Sequence, residues 1–251
     1  MSSPAPAAGT ARERARAAFT ADLLAAARAR IAADGAAQLS LRAVARDLGV
    51  ASSAVYRYVD SRDALLTLLI IETYDEVGTV VEEALGRAFA RGATPGEAWL
   101  AVGHAYVGWA RAHRHSFELV YGTPVPGYAA PQETVVHATR VWAVLGAVLA
   151  AAAGRGELAP TPAPAGALLT THLVDTAVEL VQSPGPAPSR DEVADLAARS
   201  ISLFTALLGV TTAELFAHLH GMTDRADDLL DVVLTTAAAG VGLRVVVDPA
   251  T

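Results

Sequence analysis

Cysteine and lysine are both missing from all 251 positions of this chain. Without cysteine there is no disulfide framework, no thiolate metal site and no cysteine nucleophile. Without lysine, all 19 basic side chains are arginine, a residue suited to bidentate contacts with phosphate or carboxylate. The abundance of Ala, Gly, Pro and Arg along the whole chain is explained more simply by GC-rich coding. Several chemical signatures are absent too. There is no phosphate-binding glycine loop and no G-x-S-x-G nucleophile elbow. His113-Arg-His115 and His218-Leu-His220 lack the i, i+4 spacing that places two ligands on one helix face for zinc. No metal, cofactor or enzymatic activity is therefore expected. Met1 to Thr10 has no long apolar run and reads as a disordered arm, not a signal peptide. Leu229 to Val247 approaches membrane-spanning length, but Asp231 and Arg244 interrupt it and its Ala-Gly content inserts weakly. A soluble, cytoplasmic protein with no membrane partner is expected.

At 53% hydrophobic residues, the chain can bury a large core and hold a small domain beside a larger one. Its formal charge is −7, which argues against a polyanionic partner. The sum hides an asymmetry. Residues 1 to 70 carry nine Arg against six acids, whereas residues 71 to 251 carry ten Arg against twenty acids. Positive charge is thus gathered at the N-terminal end and kept away from the rest.

That basic end has a recognisable layout. Phe19, Leu23, Leu24, Ala27 and Ile31 repeat with helical spacing, and Asp34-Gly35 supplies a stop. Ser40 is a suitable N-cap, and Leu41, Val44, Ala45 and Leu48 form one apolar face, leaving Arg42 and Arg46 outside. Gly49 stands where the helix must reverse, a position that favours a residue without a Cβ. Ser52 or Ser53 can cap a second short helix with Val55 and Val59 inward, leaving Ser52, Ser53, Ala54, Arg57 and Tyr58 free to face a partner. Small residues at its start allow close approach to a groove. Ser61 caps a third helix, and Arg62 in its first turn opposes the helix dipole unless a phosphate lies nearby.

Residues from about Ala17 to Leu66, above all Val55-Tyr-Arg-Tyr-Val-Asp-Ser-Arg-Asp-Ala-Leu-Leu66, resemble the N-terminal helix-turn-helix domain of the TetR family of transcriptional repressors. The resemblance implies that Arg42, Ser52, Ser53 and Arg57 reach base edges or adjacent phosphates, and that Tyr56, Tyr58 and Arg62 hold phosphates. Ala51, where a polar cap is common, and Tyr58, where histidine is common, depart from the family pattern. Arg57 can engage guanine O6 and N7 together, with a phosphate clamp as the alternative. For Tyr56 the alternative is core packing. Arg12, Arg14 and Arg16 either reach DNA from the arm or sit on a solvated helix start.

Beyond Leu66 the chain reads as helices separated by Pro and Gly. They are expected over 62–89, 97–113, a short span through Tyr121, 132–153, 163–182, 191–220 and 224–242, with a loop from Pro124 to Pro131. No comparable strand alternation competes, so the fold class is all-α. Four divisions result: a disordered arm over 1–16, the helix-turn-helix over 17–66, a helical effector and dimerisation domain over 67–243, and a tail over 244–251. The last two helices are apolar on more than one face. They either fill the centre of one subunit or pair across a two-fold axis, and the resemblance implies the second.

Most of the bulky aromatics and several histidines fall in the middle helices. Trp99, His104, Tyr106, Trp109, His113, Phe117, Tyr121 and Trp142 are candidates to line a small-molecule site, with an ordinary aromatic core as the alternative. Part of this run, Trp109 to Gly122, resembles a motif of one C-terminal subgroup of the family. His172 and Asp175 are i, i+3 on one helix and offer a polar pair to an effector. A satisfied internal pair or simple surface exposure are the alternatives. The resulting expectation is a homodimeric, ligand-responsive regulator, a repressor on a palindromic duplex operator. A helical-bundle enzyme, a small-molecule-binding protein without DNA recognition and a protein-binding adaptor are the competing readings. The Arg42, Arg57, Tyr58 and Arg62 cluster separates them, since none of these alternatives needs it beside a groove-sized helix.

Overall fold

The computed structural model describes residues 10–160, 169–180 and 189–246. Among these residues there are helices and no strand: α1 (Ala11–Asp34), a 3-10 turn (Ala36–Gln38), α2 (Leu41–Asp47), α3 (Ser52–Val55), α4 (Arg62–Ala90), α5 (Pro95–Ala112), α6 (Arg114–Tyr121), α7 (Thr134–Gly154), α8 (Thr171–Leu180), α9 (Arg190–Leu215) and α10 (Ala226–Gly240). The all-α expectation holds. The chain divides into two compact units, one of Met1–Thr73 with His115–Thr134 and one of Tyr74–Arg114 with Val135–Thr251.

The first unit is built on the amphipathic faces read from sequence. Leu23, Leu24, Ala27 and Ile31 of α1 pack with Leu41, Val44 and Ala45 of α2, Val55 and Val59, and Leu65, Leu66 and Leu69 of α4. Gly49 adopts φ +67° at the reversal, where the Val50 N–H reaches back to the Ala45 carbonyl at 3.0 Å. Ser61 Oγ accepts from the Ala64 N–H at 3.1 Å and starts α4 as expected. Two other caps differ from expectation. Ser40 occupies the N-cap of α2 without a side-chain hydrogen bond. The N-cap of α3 is Ala51, so Ser52 and Ser53 lie inside the helix and cap nothing.

Two boundaries are corrected. The arm expected over residues 1–16 gives way to helix from Ala11, because Thr10 accepts from the Glu13 N–H and Glu13 accepts from the Thr10 N–H in a capping box. The rest of that arm, residues 1–9, lies outside the described residues. The first unit also recruits a distant segment. Leu119, Val125 and Tyr128 pack on its core, and the Tyr128 hydroxyl lies 2.9 Å from Thr67 Oγ1. The expected end of the module at Leu66 therefore understates it.

In the second unit, α9 packs against α5, α8 and α10, and α10 also packs on α5. α5 opens with a capping box between Thr94 and Glu97, with Pro95 at its first turn. Gly103 lets α5 close on α10: a Cβ there would stand 2.5 Å from Leu234 Cδ1. α9 opens with a second box, Ser189 with Glu192, and ends at Leu215, five residues short of expectation, where turns take over through Gly221. Of the helix expected over 163–182, Thr171–Leu180 is helical and residues 169–170 are not; residues 163–168 and 181–182 lie outside the described residues. The expected tail is partly tied down, since Leu243 forms an isolated antiparallel bridge with Leu158 and the Arg244 N–H reaches the Glu157 carbonyl at 3.3 Å. Residues 247–251 lie outside the described residues. α7 and α9 are long and apolar enough to cross a membrane by length and composition, and both place buried faces in this helical unit.

Candidate nucleic-acid interface

The helix-turn-helix sorts its cations into two groups. Arg42 on α2 and Arg57 just after α3 are exposed, and neither is given a hydrogen bond or ion pair by the described residues. Tyr56 beside Arg57 is 46% exposed, a large value for a tyrosine in a packed module. Ser53 is exposed, while Ser52 and Ala54 are half-buried on the same short helix. Together these present two free guanidiniums, a phenol and a stretch of small side chains, the chemistry that duplex DNA needs for phosphate and base-edge contact.

Other cations nearby are committed to the fold. Arg30 forms a bidentate pair with Asp47, Nε to Oδ2 at 2.5 Å and Nη2 to Oδ1 at 2.6 Å, tying α1 to the end of α2. The hydrogen bond to Arg30 holds the Asp47 carboxyl below the usual aspartate range. Arg28 pairs with Glu72 at 2.8 Å. Arg62 donates from Nη2 to the Ala36 and Ala37 carbonyls at 3.1 and 3.2 Å and from Nη1 to Asp63 at 3.2 Å. The dipole conflict at Arg62 is thus met inside the protein, by the carbonyls of the 3-10 turn. Tyr58 also has an internal role: its ring lies 4.3 Å from that of Phe19, with the Arg16 guanidinium over it at 5.6 Å. An open cleft of about 440 Å³ runs between Tyr58–Leu68 and Tyr128–Glu133. Asp60, Asp63 and Glu133 line it, so it repels phosphate.

The aromatic and histidine candidates for an effector are divided between the units. Phe117 and Tyr121, with rings 5.3 Å apart, belong to the first unit. In the second, Trp99 is fully buried and its indole donates to the Leu234 carbonyl at 2.9 Å, a core role. His104 is exposed and lies 2.7 Å from Asp231. Trp142 packs on Phe204 at 4.3 Å. Asp175 pairs with Arg190 at 2.5 Å, leaving His172 exposed without it, so the polar pair expected from their i, i+3 spacing does not form. Tyr106, Trp109 and His113 do lie in one run on α5: Tyr106 and Trp109 are buried with rings 6.2 Å apart, and His113 stacks on Trp109 at 5.9 Å.

Known proteins match both parts of the chain. Residues 23–69 match the family of bacterial regulatory proteins called tetR, and residues 99–237, more than half the chain, match the tetracyclin repressor-like C-terminal domain. The chain belongs to the TetR family of bacterial regulatory proteins. Over 129 residues, 49% of the chain, it is 44% identical to the HTH-type transcriptional regulators Rv1816 of Mycobacterium tuberculosis and Mb1846 of Mycobacterium bovis, covering 53% of each. The chain spans about half the length of these curated relatives. A crystal structure described as that of a regulatory protein, SCO4313, is 31% identical, with a TM-score of 0.71 over 92% of this chain and 100% of that one. A Rhodococcus protein of unknown function shares the fold at 22% identity and a TM-score of 0.63, covering 95% and 100% of the two chains.

Sequence reasoning missed three features of this TetR-family chain. The Arg30–Asp47 clamp joins residues seventeen apart on different helices, a pairing that helical periodicity does not reveal. Tyr128 sits in a Pro- and Gly-rich loop, where the lone large ring was the available clue to docking. Asp75, Glu76 and Glu82 were also overlooked on α4. Asp75 accepts from Arg140 at 3.0 Å and lies 2.7 Å from His137, and Glu82 accepts from Arg140 at 2.6 Å. Those two bonds, the one to Glu82 foremost, raise the pKa of the Arg140 guanidinium further.

Proposed function

We propose that this TetR-family protein is a DNA-binding transcriptional regulator that occupies a palindromic duplex operator as a homodimer, acts as a repressor, and is released by a small-molecule effector. The observation that carries the reading is the exposure of Arg42 and Arg57, without internal partners, beside Tyr56 on the helix-turn-helix. Arg42, Ser52, Ser53, Ala54, Tyr56 and Arg57 are the proposed contact residues. Arg57 reads a base edge, and Arg12, Arg14 and Arg16 on the first turns of α1 add phosphate contacts. Tyr58 and Arg62 are assigned chiefly to holding the module together.

One such module reads too few base pairs, and two related by a two-fold axis read a palindrome. Dimerisation is assigned to α9 and α10. Thr205, Leu208, Gly209 and Thr212 line an apolar groove on α9, and Val232 of α10 is 61% exposed. The second unit is assigned the effector, which acts only if it binds the DNA-competent and released states with different affinity. A regulator of this kind works in the cytoplasm, and no enzymatic step is assigned to it.

The test is selection of bound duplexes from a random library by the purified protein across a salt series. An enriched palindrome whose affinity falls steeply with salt is the expected outcome, since each neutralised phosphate steepens the slope by about 0.9. A folded protein that enriches nothing at low salt overturns the reading.

A further inference from the structure

We propose that Glu76 and Trp109 are the polar anchors of an effector site in the second unit, and that its ligand is a small neutral molecule with an N–H donor beside a carbonyl acceptor, a primary carboxamide or a lactam. This rests on the assignment of that unit to the effector.

Trp109 is 4% exposed, and its indole N–H, a donor only, is shielded from solvent with no hydrogen-bond partner. Glu76 Oε2 is an acceptor in the same condition. Leaving such groups unmet costs about 1–3 kcal/mol each, more when charged, so two in one neighbourhood call for an explanation. The contrast with Trp99 is direct, because that equally buried indole is satisfied by the Leu234 carbonyl. The two orphaned groups are linked through one side chain. The His113 ring stacks on Trp109 with 24° between planes, and His113 Nε2 lies 3.5 Å from Glu76 Oε1.

His113 also ends α5, where its backbone leaves the helical region at φ −126° and ψ 46°. Its side chain is 43% exposed. Its Nδ1 lies 3.0 Å from the Trp109 carbonyl, which holds the ring beside both orphaned groups.

The pairing of one donor with one anionic acceptor selects the ligand. A simple cation satisfies Glu76 and leaves the indole unmet, whereas an anion is repelled by the carboxylate. A carboxamide meets both: its N–H donates to Glu76 Oε2 and its carbonyl accepts from Trp109 Nε1. An apolar or aromatic body attached to it then lies against the indole and imidazole rings.

Benzamide is the probe, titrated without DNA into the full-length ¹⁵N-labelled protein while the indole N–H resonances of its three tryptophans are followed. Trp109→Phe assigns the signal. The expected result is a saturable shift of the Trp109 resonance, no shift from toluene, and about tenfold weaker binding in Glu76→Met, the loss of one hydrogen bond to a charged group. No Trp109 shift at millimolar benzamide overturns the site, as does an equal shift with toluene. A long-lived water at the Trp109 N–H that persists with benzamide also overturns it, because a trapped water then satisfies the pair. Operator selection is a separate assay. Failure with benzamide and success on DNA sinks this site alone, while the reverse leaves a carboxamide-binding protein whose regulatory reading has failed.

Discussion

In the first unit, Arg42 and Arg57 are held by no carboxylate, while in the second Arg111, Arg140, Arg190 and Arg199 each reach one. Arg111 alone joins three helices, bonding Glu214 of α9 at 2.6 Å and Asp227 of α10 at 2.7 Å from its place on α5. That bond to Arg111 holds the Asp227 carboxyl below the usual aspartate range. The same residue type therefore serves opposite ends. A free guanidinium in water contributes little to folding, whereas a paired one orients helices. Exposure alone does not distinguish the two uses, since Arg91 of the second unit is exposed as well; what sets Arg42 and Arg57 apart is their place on the helix-turn-helix, the face proposed to meet DNA.

Replacements that separate these two uses break or sharpen the comparison. The largest effect is expected from Arg199→Leu. Its guanidinium is buried and donates to Asp195 and to the Ala159 and Val241 carbonyls at 2.7–2.8 Å. Its removal leaves Asp195 without its cation and should lower stability by about 3 kcal/mol in denaturant unfolding. An unchanged midpoint would refute the structural role.

Arg57→Ala should do the opposite: no change in unfolding, and a loss of about 1–3 kcal/mol on the selected operator with relaxed preference at one base position. A uniform loss across all sequences would instead make Arg57 a phosphate clamp. Arg62→Ala is the most discriminating of the series. Because its guanidinium is bound to the Ala36 and Ala37 carbonyls, it should lose about 1–1.5 kcal/mol of stability and leave the salt dependence of DNA binding unchanged. A slope reduced by about 0.9 would place it on a phosphate.

Thr94→Ala should have the smallest effect, about 1 kcal/mol of stability, through loss of the α5 cap. The Thr94 backbone N–H, then its hydroxyl, hold the Glu97 carboxyl below the usual glutamate range. A depressed carboxyl stabilises the fold above its unfolded pKa and loses that contribution as pH falls through the folded one. The difference between Thr94→Ala and the parent should therefore be largest near neutrality and shrink in acid, as measured by urea unfolding at both pH values.

Local patterns were legible in the sequence where consecutive residues carry them. The apolar faces of α1 and α2, the reversal at Gly49, the cap at Ser61 and the helical class of the whole chain depend on spacings of one to seven residues. Such spacings are set by backbone geometry and hold in any environment. The motif Val55 to Leu66 added the family. What the tertiary structure decided depended on distance in space. It drew His115–Thr134 into the first unit, gave Asp175 to Arg190 instead of His172, turned Arg62 onto backbone carbonyls, and left Trp109 and Glu76 unmet while satisfying Trp99. Each is a choice among partners far apart in the chain, settled by which groups the packed helices bring within hydrogen-bonding reach, and helical periodicity carries no record of that choice.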